Sequence, residues 1–214
     1  MNPSLIRQRF DQRAARYDNP LTAWIGEQEL RQIRPLIPPG ATVLDYGCGS
    51  GRVALDLARR GHTVTAFDIS SGMLARAQER AKRLPPEIRQ RITFVSDLEA
   101  IQQKKWDCIT CIGVLDYYPQ PRPLLRHLAS LLAPDGRLVI TFPNAHSPLG
   151  WTYALASRFT VPATPRTPAF ARQVALESGF SLLALRYAFP ALPLLGHTLV
   201  LALHKSTDAS TEKK

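Results

Sequence analysis

The sequence predicts an α/β fold, a doubly wound sheet of seven mostly parallel strands with helices on both faces. Short apolar runs alternate with longer segments of helical period along most of the chain, and Gly and Pro residues separate them. A chain of 214 residues that is 45% hydrophobic buries one substantial core, so we expect a single domain over residues 1–205. Strands joined by helices form right-handed crossovers, which give a parallel sheet.

The chain opens with two predicted helices and a strand. Asn2-Pro3-Ser4 places a proline at the first position of a helix, and its apolar stripe consists of Leu5, Ile6, Phe10, Ala14 and Tyr17. A second helix is predicted over residues 21–33, and the prolines and glycine that follow end it by residue 40. The apolar and β-branched residues 42–46 are predicted to form the first strand.

The middle of the chain is predicted to alternate strictly, because Gly or Pro bounds most of its apolar runs. In chain order the elements are a helix at 53–60, a strand at 63–68, a helix at 71–84, a strand at 92–95, a short helix from 97, a strand at 106–113, a helix at 121–132 and a strand at 137–142. Gly61, Pro85-Pro86 and the turn Pro134-Asp135-Gly136 separate several of them.

The last third begins with residues 143–168, whose Pro, Asn, His, Trp and Tyr residues show no clear period. The predicted elements are helices at 150–159 and 169–178 and strands at 180–189 and 196–204. A proline-rich connection joins these two strands, and we expect them to form an antiparallel pair at one edge of the sheet. Residues 206–214 have no apolar pattern and are predicted to be a disordered tail.

Two features narrow the class of protein. Cys108 and Cys111 form a Cys-x-x-Cys, but residues three apart on a strand face opposite sides, so we predict buried thiols and no metal site. The N-terminal residues contain four arginines by position 16 and no apolar core of signal-peptide length, and no run approaches the roughly 20 apolar residues of a membrane span. The expected location is therefore the cytoplasm.

The most informative segment is residues 43–51, Val-Leu-Asp-Tyr-Gly-Cys-Gly-Ser-Gly, where a strand enters a glycine-rich turn before a helix. Such a turn lets a ligand approach the backbone and the N–H groups of the helix terminus. A dinucleotide motif needs Gly or Ala where Arg52 stands, and no Gly-Lys-Ser/Thr follows, so NAD and Walker-type phosphate loops are excluded. Asp45 would repel a pyrophosphate and attract a ligand that carries an ammonium group.

The pattern Asp-x-Gly-x-Gly-x-Gly resembles the cofactor loop of class I S-adenosylmethionine-dependent methyltransferases, and the resemblance covers about residues 10–205. It implies the Rossmann-like seven-strand sheet of that family, with one antiparallel edge strand. It also implies S-adenosyl-L-methionine as the cofactor. The turn Leu132-Ala133-Pro134-Asp135-Gly136 is similar to the Leu-x-Pro-Gly-Gly turn of the family.

The resemblance assigns cofactor binding to named positions. The residues so assigned are Tyr17, Asp45, Gly47, Cys48, Gly49, Gly51, Asp68, Ile69, Met73, Asp97, Leu98 and Gly113. Asp68, 23 residues after Asp45, would accept the ribose hydroxyls, while Asp97 and Leu98 would contact the adenine. The segment Phe10-Asp11 with Ala15-Arg16-Tyr17-Asp18 resembles an entry helix whose tyrosine covers the cofactor, so residues 1–36 would cover this site. Asp68 and Asp97 have a second interpretation as simple helix N-caps.

A methyl acceptor that is a hydroxyl requires a general base. The candidates are Asp116 and Tyr117 after the fourth strand and His146 after the fifth. Tyr117 stands where related enzymes often have histidine, and a tyrosine of ordinary pKa near 10 orients a substrate better than it takes a proton.

The insert at 143–168 would roof the acceptor pocket in this family. Its apolar and aromatic residues are Leu149, Trp151, Tyr153, Leu155, Phe159 and Val161. They favour O-methylation of a small apolar or aromatic acceptor, with C- or N-methylation kept open. Alternatively, they only pack the insert onto the sheet.

Other partners and functions remain open. The segment at Phe10 also resembles quinone, Mg-protoporphyrin and malonyl-carrier-protein methyltransferases, so a carboxylate on an acyl carrier protein is an alternative acceptor. The net charge of +10 would equally attract an anionic membrane surface. Nucleic acid is disfavoured, because no Asp/Asn-Pro-Pro-Tyr follows the fourth strand. A non-catalytic cofactor-binding protein and a nucleic-acid-binding protein are the remaining alternatives, and a monomer or homodimer is expected.

Overall fold

The structure is a computed structural model that describes residues 3–14, 20–158, 161–189 and 196–205. Its strands are β1 (Thr42–Tyr46), β2 (Thr63–Phe67), β3 (Ile92–Val95), β4 (Trp106–Cys111), β5 (Leu132–Pro143), β6 (Phe180–Tyr187) and β7 (Thr198–Lys205). Its helices are α1 (Pro3–Arg13), α2 (Pro20–Ile33), α3 (Arg52–Arg59), α4 (Ser71–Ala81), α5 (Pro86–Arg89), α6 (Leu98–Gln102), α7 (Arg122–Leu131), α8 (Pro148–Ser157) and α9 (Pro168–Leu176).

The seven strands form one sheet in the order β3-β2-β1-β4-β5-β7-β6. The pairings among β1 to β5 are parallel, whereas β7 runs antiparallel to both of its neighbours, β5 and β6. This confirms the predicted α/β fold class. The antiparallel pair lies at one edge, as predicted, and the strand that runs against the others is β7, with β6 outside it.

Alternate residues of the central strands enter two separate cores. On one face, Ile109 and Cys111 pack with residues of α7 and α9, and on the other face Cys108 packs with residues of α2 and α3. The two cysteines of the Cys-x-x-Cys therefore lie on opposite sides of β4, as the strand period predicts. Burial raises the pKa of both thiols.

The predicted elements are confirmed, with differences at their ends. Strand β5 begins five residues before the predicted start at residue 137, because Leu132 already pairs with Trp106 ahead of the Pro134-Asp135-Gly136 turn. The predicted helix at 71–84 ends at Ala81, and the prolines expected only to stop it start the short helix α5, with Pro86 at its first position. Strand β4 ends at Cys111, before Gly113 adopts a positive φ of 69°.

The described ranges contain no helix that is both long and apolar enough to span a bilayer.

Candidate functional site

A cleft opens at the carboxyl ends of β1, β2 and β4, where α1 passes over the sheet. It encloses about 890 Å³, including the solvent space at its mouth. Its lining consists of Ile6, Phe10, Asp45, Tyr46, Gly47, Cys48, Gly49, Ser50, Arg52, Val53, Phe67, Asp68, Ile69, Met73, Ile112, Gly113, Val114, Tyr117 and Tyr118. In parallel α/β sheets, ligands bind at this edge.

The glycine loop between β1 and α3 is fixed to the end of β2. The backbone N–H groups of Gly47 and Cys48 both donate to the carbonyl oxygen of Phe67, at 2.8 and 2.9 Å. Gly47 and Gly49 have positive φ values of 75° and 53°, a conformation that glycine adopts at little cost. A Cβ on Gly47 would overlap with Val114 Cγ2, whereas the space around a Cβ on Gly49 is open. The backbone at Gly49 is therefore accessible from the cleft.

Asp45 lies at the end of β1 and caps the next helix. Its carboxylate accepts hydrogen bonds from the N–H of Ala54 at 3.1 Å and from Thr110 Oγ1 at 2.8 Å. Gly51, the N-cap residue of α3, has no side chain that could accept this hydrogen bond. Asp45 of β1 therefore accepts from the N–H of Ala54 in its place. Burial raises the pKa of Asp45 to about 6 against the effect of these bonds. The carboxyl group also lines the cleft, where an ammonium group would favour its charged form.

Asp68 lies at the end of β2, on the other side of the glycine loop. Its two oxygens accept hydrogen bonds from the N–H groups of Gly49 and Ser70, both at 2.8 Å. Burial raises the pKa of this carboxyl group, partly offset by the two backbone bonds. The helix N-cap is Ser70, whose hydroxyl accepts from the N–H of Met73. Asp68 therefore lines the cleft and orders the loop, and it is not the N-cap of α4.

Asp11 connects the covering helix α1 to the site. One of its carboxylate oxygens accepts from the Ser70 hydroxyl at 2.6 Å and from the N–H of Gly72 at 3.0 Å. These bonds hold α1 at the N-terminus of α4, and Ile6 and Phe10 of the same helix line the cleft. The sequence placed Asp11 within the entry segment, but the 59-residue separation from Ser70 hid its partner.

Aromatic side chains form another part of the cleft lining. Phe10 meets Tyr117 edge to face, with ring centroids 5.5 Å apart. The hydroxyl oxygens of Tyr117 and Tyr153 lie 3.1 Å apart, and Tyr153 donates to Asp116 Oδ2 at 3.4 Å. Asp116 does not line the cleft itself. Burial and, to a smaller extent, the charge of Glu29 raise the pKa of Asp116 to about 7.

Several residues assigned to the site from the sequence lie apart from the cleft lining. Asp97 is exposed and accepts from the N–H of Glu99 at 2.9 Å, which makes it the N-cap of α6. Leu98 and His146 are also exposed, and Gly51 is absent from the cleft lining; a Cβ on Gly51 would lie 3.0 Å from Ala77 Cβ. The assignments of these residues stay predictions. Tyr17, in residues 15–19, and Phe159 lie outside the described residues.

The cleft also contains an arginine whose contacts sequence reasoning missed. Arg52 lines the cleft, donates to the carbonyl oxygen of Gly26 at 2.6 Å and pairs with Glu29 at 2.7 Å. Burial acts to raise the pKa of Glu29, but Arg52 and His197 bring it down to about 2. The sequence showed only that Arg52 stands where a dinucleotide motif needs a small residue. Its partner Glu29 on α2 is 23 residues away, and no local pattern indicated the pair.

A family model described as a methyltransferase domain matches residues 12–187. Ubiquinone biosynthesis O-methyltransferase of Xanthomonas axonopodis pv. citri is 37% identical over 109 residues, which are 51% of this chain and 46% of that protein. The homologue of the same name from Xanthomonas oryzae pv. oryzae is 35% identical over 105 residues, 49% of this chain and 44% of its own. The chain thus spans about half the length of the curated relatives it matches.

Two solved structures cover far more of the chain. The magnesium protoporphyrin IX methyltransferase of Synechocystis PCC 6803 with bound SAH is 25% identical, covers 96% of this chain and 100% of its own, and has a TM-score of 0.71. The glycopeptide N-methyltransferase MtfA complexed with (S)-adenosyl-L-methionine is 18% identical, covers 85% of this chain and 94% of its own, and has a TM-score of 0.65. The second likeness concerns the fold alone.

Proposed function

The chain belongs to the methyltransferase-domain family matched over residues 12–187, and from this premise we propose that it transfers a methyl group from S-adenosylmethionine to a hydroxyl group of a small aromatic or apolar acceptor. The observation that carries this proposal is the composition of the cleft. The cleft combines the open backbone of the glycine loop and two buried carboxylates with the aromatic rings of Phe10, Tyr117 and Tyr118.

The glycine loop, the two carboxylates and the apolar side chains beside them fit the methyl donor. Asp68, held beside Gly49, would accept the ribose hydroxyls, and the apolar side chains of Ile69 and Met73 line the adjoining wall for the adenine. Asp45 would lie toward the ammonium group of the methionine part. Bound S-adenosylmethionine would supply an electrophilic methyl group on a sulfonium sulfur. The SAH in the Synechocystis relative, matched over 96% of this chain, supports this assignment.

The aromatic residues of the cleft would orient the acceptor and exclude water. Phe10 and Tyr117 present ring faces and edges suited to a planar ring. Alignment of the attacking oxygen and removal of water account for much of the barrier reduction in such a reaction. The name of the Xanthomonas relatives, O-methyltransferases of ubiquinone biosynthesis, supports oxygen as the acceptor atom.

Calorimetry and methyl transfer test the proposal together. We expect S-adenosylmethionine and S-adenosylhomocysteine to bind, and labelled methyl to reach a phenolic or quinol acceptor. The acceptor panel also includes a porphyrin propionate, a carboxylate on an acyl carrier protein and an amine. Methyl transfer to a carboxylate alone would show that the acceptor is a carboxylate and not a hydroxyl group. Cofactor binding without transfer to any acceptor would indicate a non-catalytic cofactor-binding protein.

A further inference from the structure

Asp116 is a buried carboxyl group that hydrogen bonds connect to the aromatic residue Tyr117 of the cleft, and its surroundings suit proton uptake. It is 5% exposed, on the short turn between β4 and α7. Its Oδ1 atom has no hydrogen-bond partner among the described residues. Its Oδ2 atom accepts from the hydroxyl of Tyr153. Ionisation of a buried carboxyl group is costly when one of its oxygens has no hydrogen-bond partner, so such a group tends to hold a proton.

Two tyrosine hydroxyls connect this carboxyl group to the cleft. Tyr117 lines the cleft, its hydroxyl oxygen lies 3.1 Å from that of Tyr153, and Tyr153 donates to Asp116 at 3.4 Å. A hydroxyl both donates and accepts, so the two tyrosines can each pass a proton on while taking another. Tyr153 is 38% exposed, which gives a proton stored on Asp116 a route to solvent after the reaction.

The geometry points to a proton relay in which Tyr117 and Tyr153 carry the hydroxyl proton of the acceptor to the carboxylate of Asp116. The inference rests on the proposed function and names how this site handles a hydroxyl acceptor. The acceptor donates its proton to Tyr117, Tyr117 passes its own proton to Tyr153, and Tyr153 passes its own to Asp116. The oxygen that lost the proton forms the new bond to the methyl carbon, and the electron pair of the broken carbon–sulfur bond stays on sulfur.

The charges around Asp116 agree with this direction of transfer. Glu29 of α2 faces it as a second carboxylate, Cys111 of β4 is a buried neutral thiol, and Tyr153 of α8 is the hydrogen-bond donor. Glu29 itself is held ionised by Arg52 and His197, so its proton affinity stays low. Because burial and Glu29 raise the pKa of Asp116 to about 7, Asp116 becomes a proton acceptor as the pH rises through neutrality.

The decisive experiment compares two acceptors that differ in acidity. An ordinary phenol needs a base, whereas a nitro-substituted phenol is already largely ionised near neutral pH. We expect Asp116→Asn and Tyr153→Phe to slow transfer to the phenol about 100-fold, in the range for general-base catalysis, and to slow transfer to the nitrophenol less than threefold. Asp135→Asn, exposed in the turn within β5, and Tyr187→Phe, on β6, are the matched controls and should leave both rates unchanged.

Two further readouts do not depend on turnover. Infrared titration should show a protonated carboxyl signal of Asp116, taken as the difference between the parent and Asp116→Asn, that disappears as the pH rises through about 7. Calorimetry should give each variant the cofactor affinity of the parent chain. The phenol rate of the parent should rise over the same pH range, and this rise should be lost in Asp116→Asn.

The possible results distinguish a failure of the proton relay from a failure of the proposed methyl transfer to a hydroxyl group. The relay is overturned if the variants slow methyl transfer to the phenol and to the nitrophenol equally. It is also overturned if Asp116→Asn transfers methyl to the phenol at the parent's rate. If the parent chain methylates no hydroxyl acceptor, the proposed function fails. In that case the infrared titration still decides about Asp116, because a carboxyl group that stays ionised from pH 5 upward contradicts the proton uptake.

Discussion

Asp45 and Asp68 end neighbouring strands, yet their carboxylates have different surroundings. Asp45 is bonded to a helix N–H and to Thr110 within the sheet, and it stabilises the entry of α3. Asp68 is bonded to the glycine loop itself, at the N–H of Gly49. The first is therefore chiefly a structural group that also faces the cleft, whereas the second orders the backbone a ligand would touch.

We expect Asp68→Ala to weaken the binding of S-adenosylmethionine at least 100-fold. The change removes the proposed ribose contact and leaves the N–H of Gly49 without its acceptor, and hydrogen bonds to a charged group contribute about 1.5–3 kcal/mol each. Titration calorimetry measures the affinity. Asp107→Ala, at the exposed amino end of β4, is the control and should bind like the parent. Unchanged affinity in Asp68→Ala would refute the ribose assignment.

The two glycines of the loop should respond differently to alanine. Both have positive φ, which costs an L-residue about 1–2 kcal/mol, but only at Gly47 does the Cβ also overlap with Val114. We expect Gly47→Ala to lose about 2–4 kcal/mol of unfolding free energy. Gly49→Ala should lose about 1 kcal/mol and mainly weaken cofactor binding, because its Cβ enters the cleft.

Chemical denaturation and calorimetry on the two variants give the comparison. A Gly49→Ala variant less stable than Gly47→Ala would contradict the close packing of Gly47 against Val114.

At the scale of elements, the sequence was informative wherever one segment contained the whole signal. The strands follow from the sequence because each is a short apolar run between turn residues, and the glycine loop that lines the cleft is one contiguous segment, residues 45–51. Other contacts at the cleft join segments that are distant in the sequence. Tyr117 and Tyr153 are 36 residues apart, and Asp11 and Ser70 are 59 apart, so no local pattern indicated either pair.

The position of helix α8 should control the contact between Tyr153 and Tyr117, which lines the cleft. Gly150 packs so closely on the end of β5 that a Cβ there would overlap with the carbonyl oxygen of Asn144. We expect Gly150→Ala to push α8 outward, to lengthen the distance between Tyr153 and Tyr117, and to slow methyl transfer at least tenfold. The cofactor affinity should stay within twofold of the parent value, since the glycine loop is untouched.

Rate measurements with a phenolic acceptor and calorimetry test this expectation. Thr152→Ala, on the exposed face of the same helix, is the control. A parent-like rate in Gly150→Ala would mean that the placement of α8 does not affect the reaction.

At the scale of the whole molecule, the buried carboxyl groups determine how stability varies with pH. The folded-state pKa of Asp116, about 7, lies above the ordinary value of 3.8 that applies in the unfolded chain. Its contribution to stability is therefore complete below pH 3.8 and is lost as the pH rises through 7. Asp45, with a pKa of about 6, acts in the same direction, and Glu29, with a lowered pKa, acts in the opposite one.

We compare the unfolding free energy of Asp116→Asn with that of the parent chain at each pH. The variant's value minus the parent's should be larger at pH 8 than at pH 4, by up to about 4 kcal/mol. The other two carboxyl groups are present in both proteins, so the difference isolates Asp116. Urea denaturation at a series of pH values measures it. A pH-independent difference would contradict the raised pKa, while Asp135→Asn should follow the parent at every pH.

The position of β7 bears on how the chain folds as it is synthesised. Strands β5 and β6 both pair with β7, so neither has its partner on that side until residues 198–205 have been made. Leu199, Leu201 and Leu203 fill one core while Val200 and Ala202 fill the other. Until this strand leaves the ribosome, β5 is an unprotected edge and both cores are open, which is the condition that favours association with other chains. Chains interrupted before residue 198 should therefore be the principal aggregating species and depend most on chaperones.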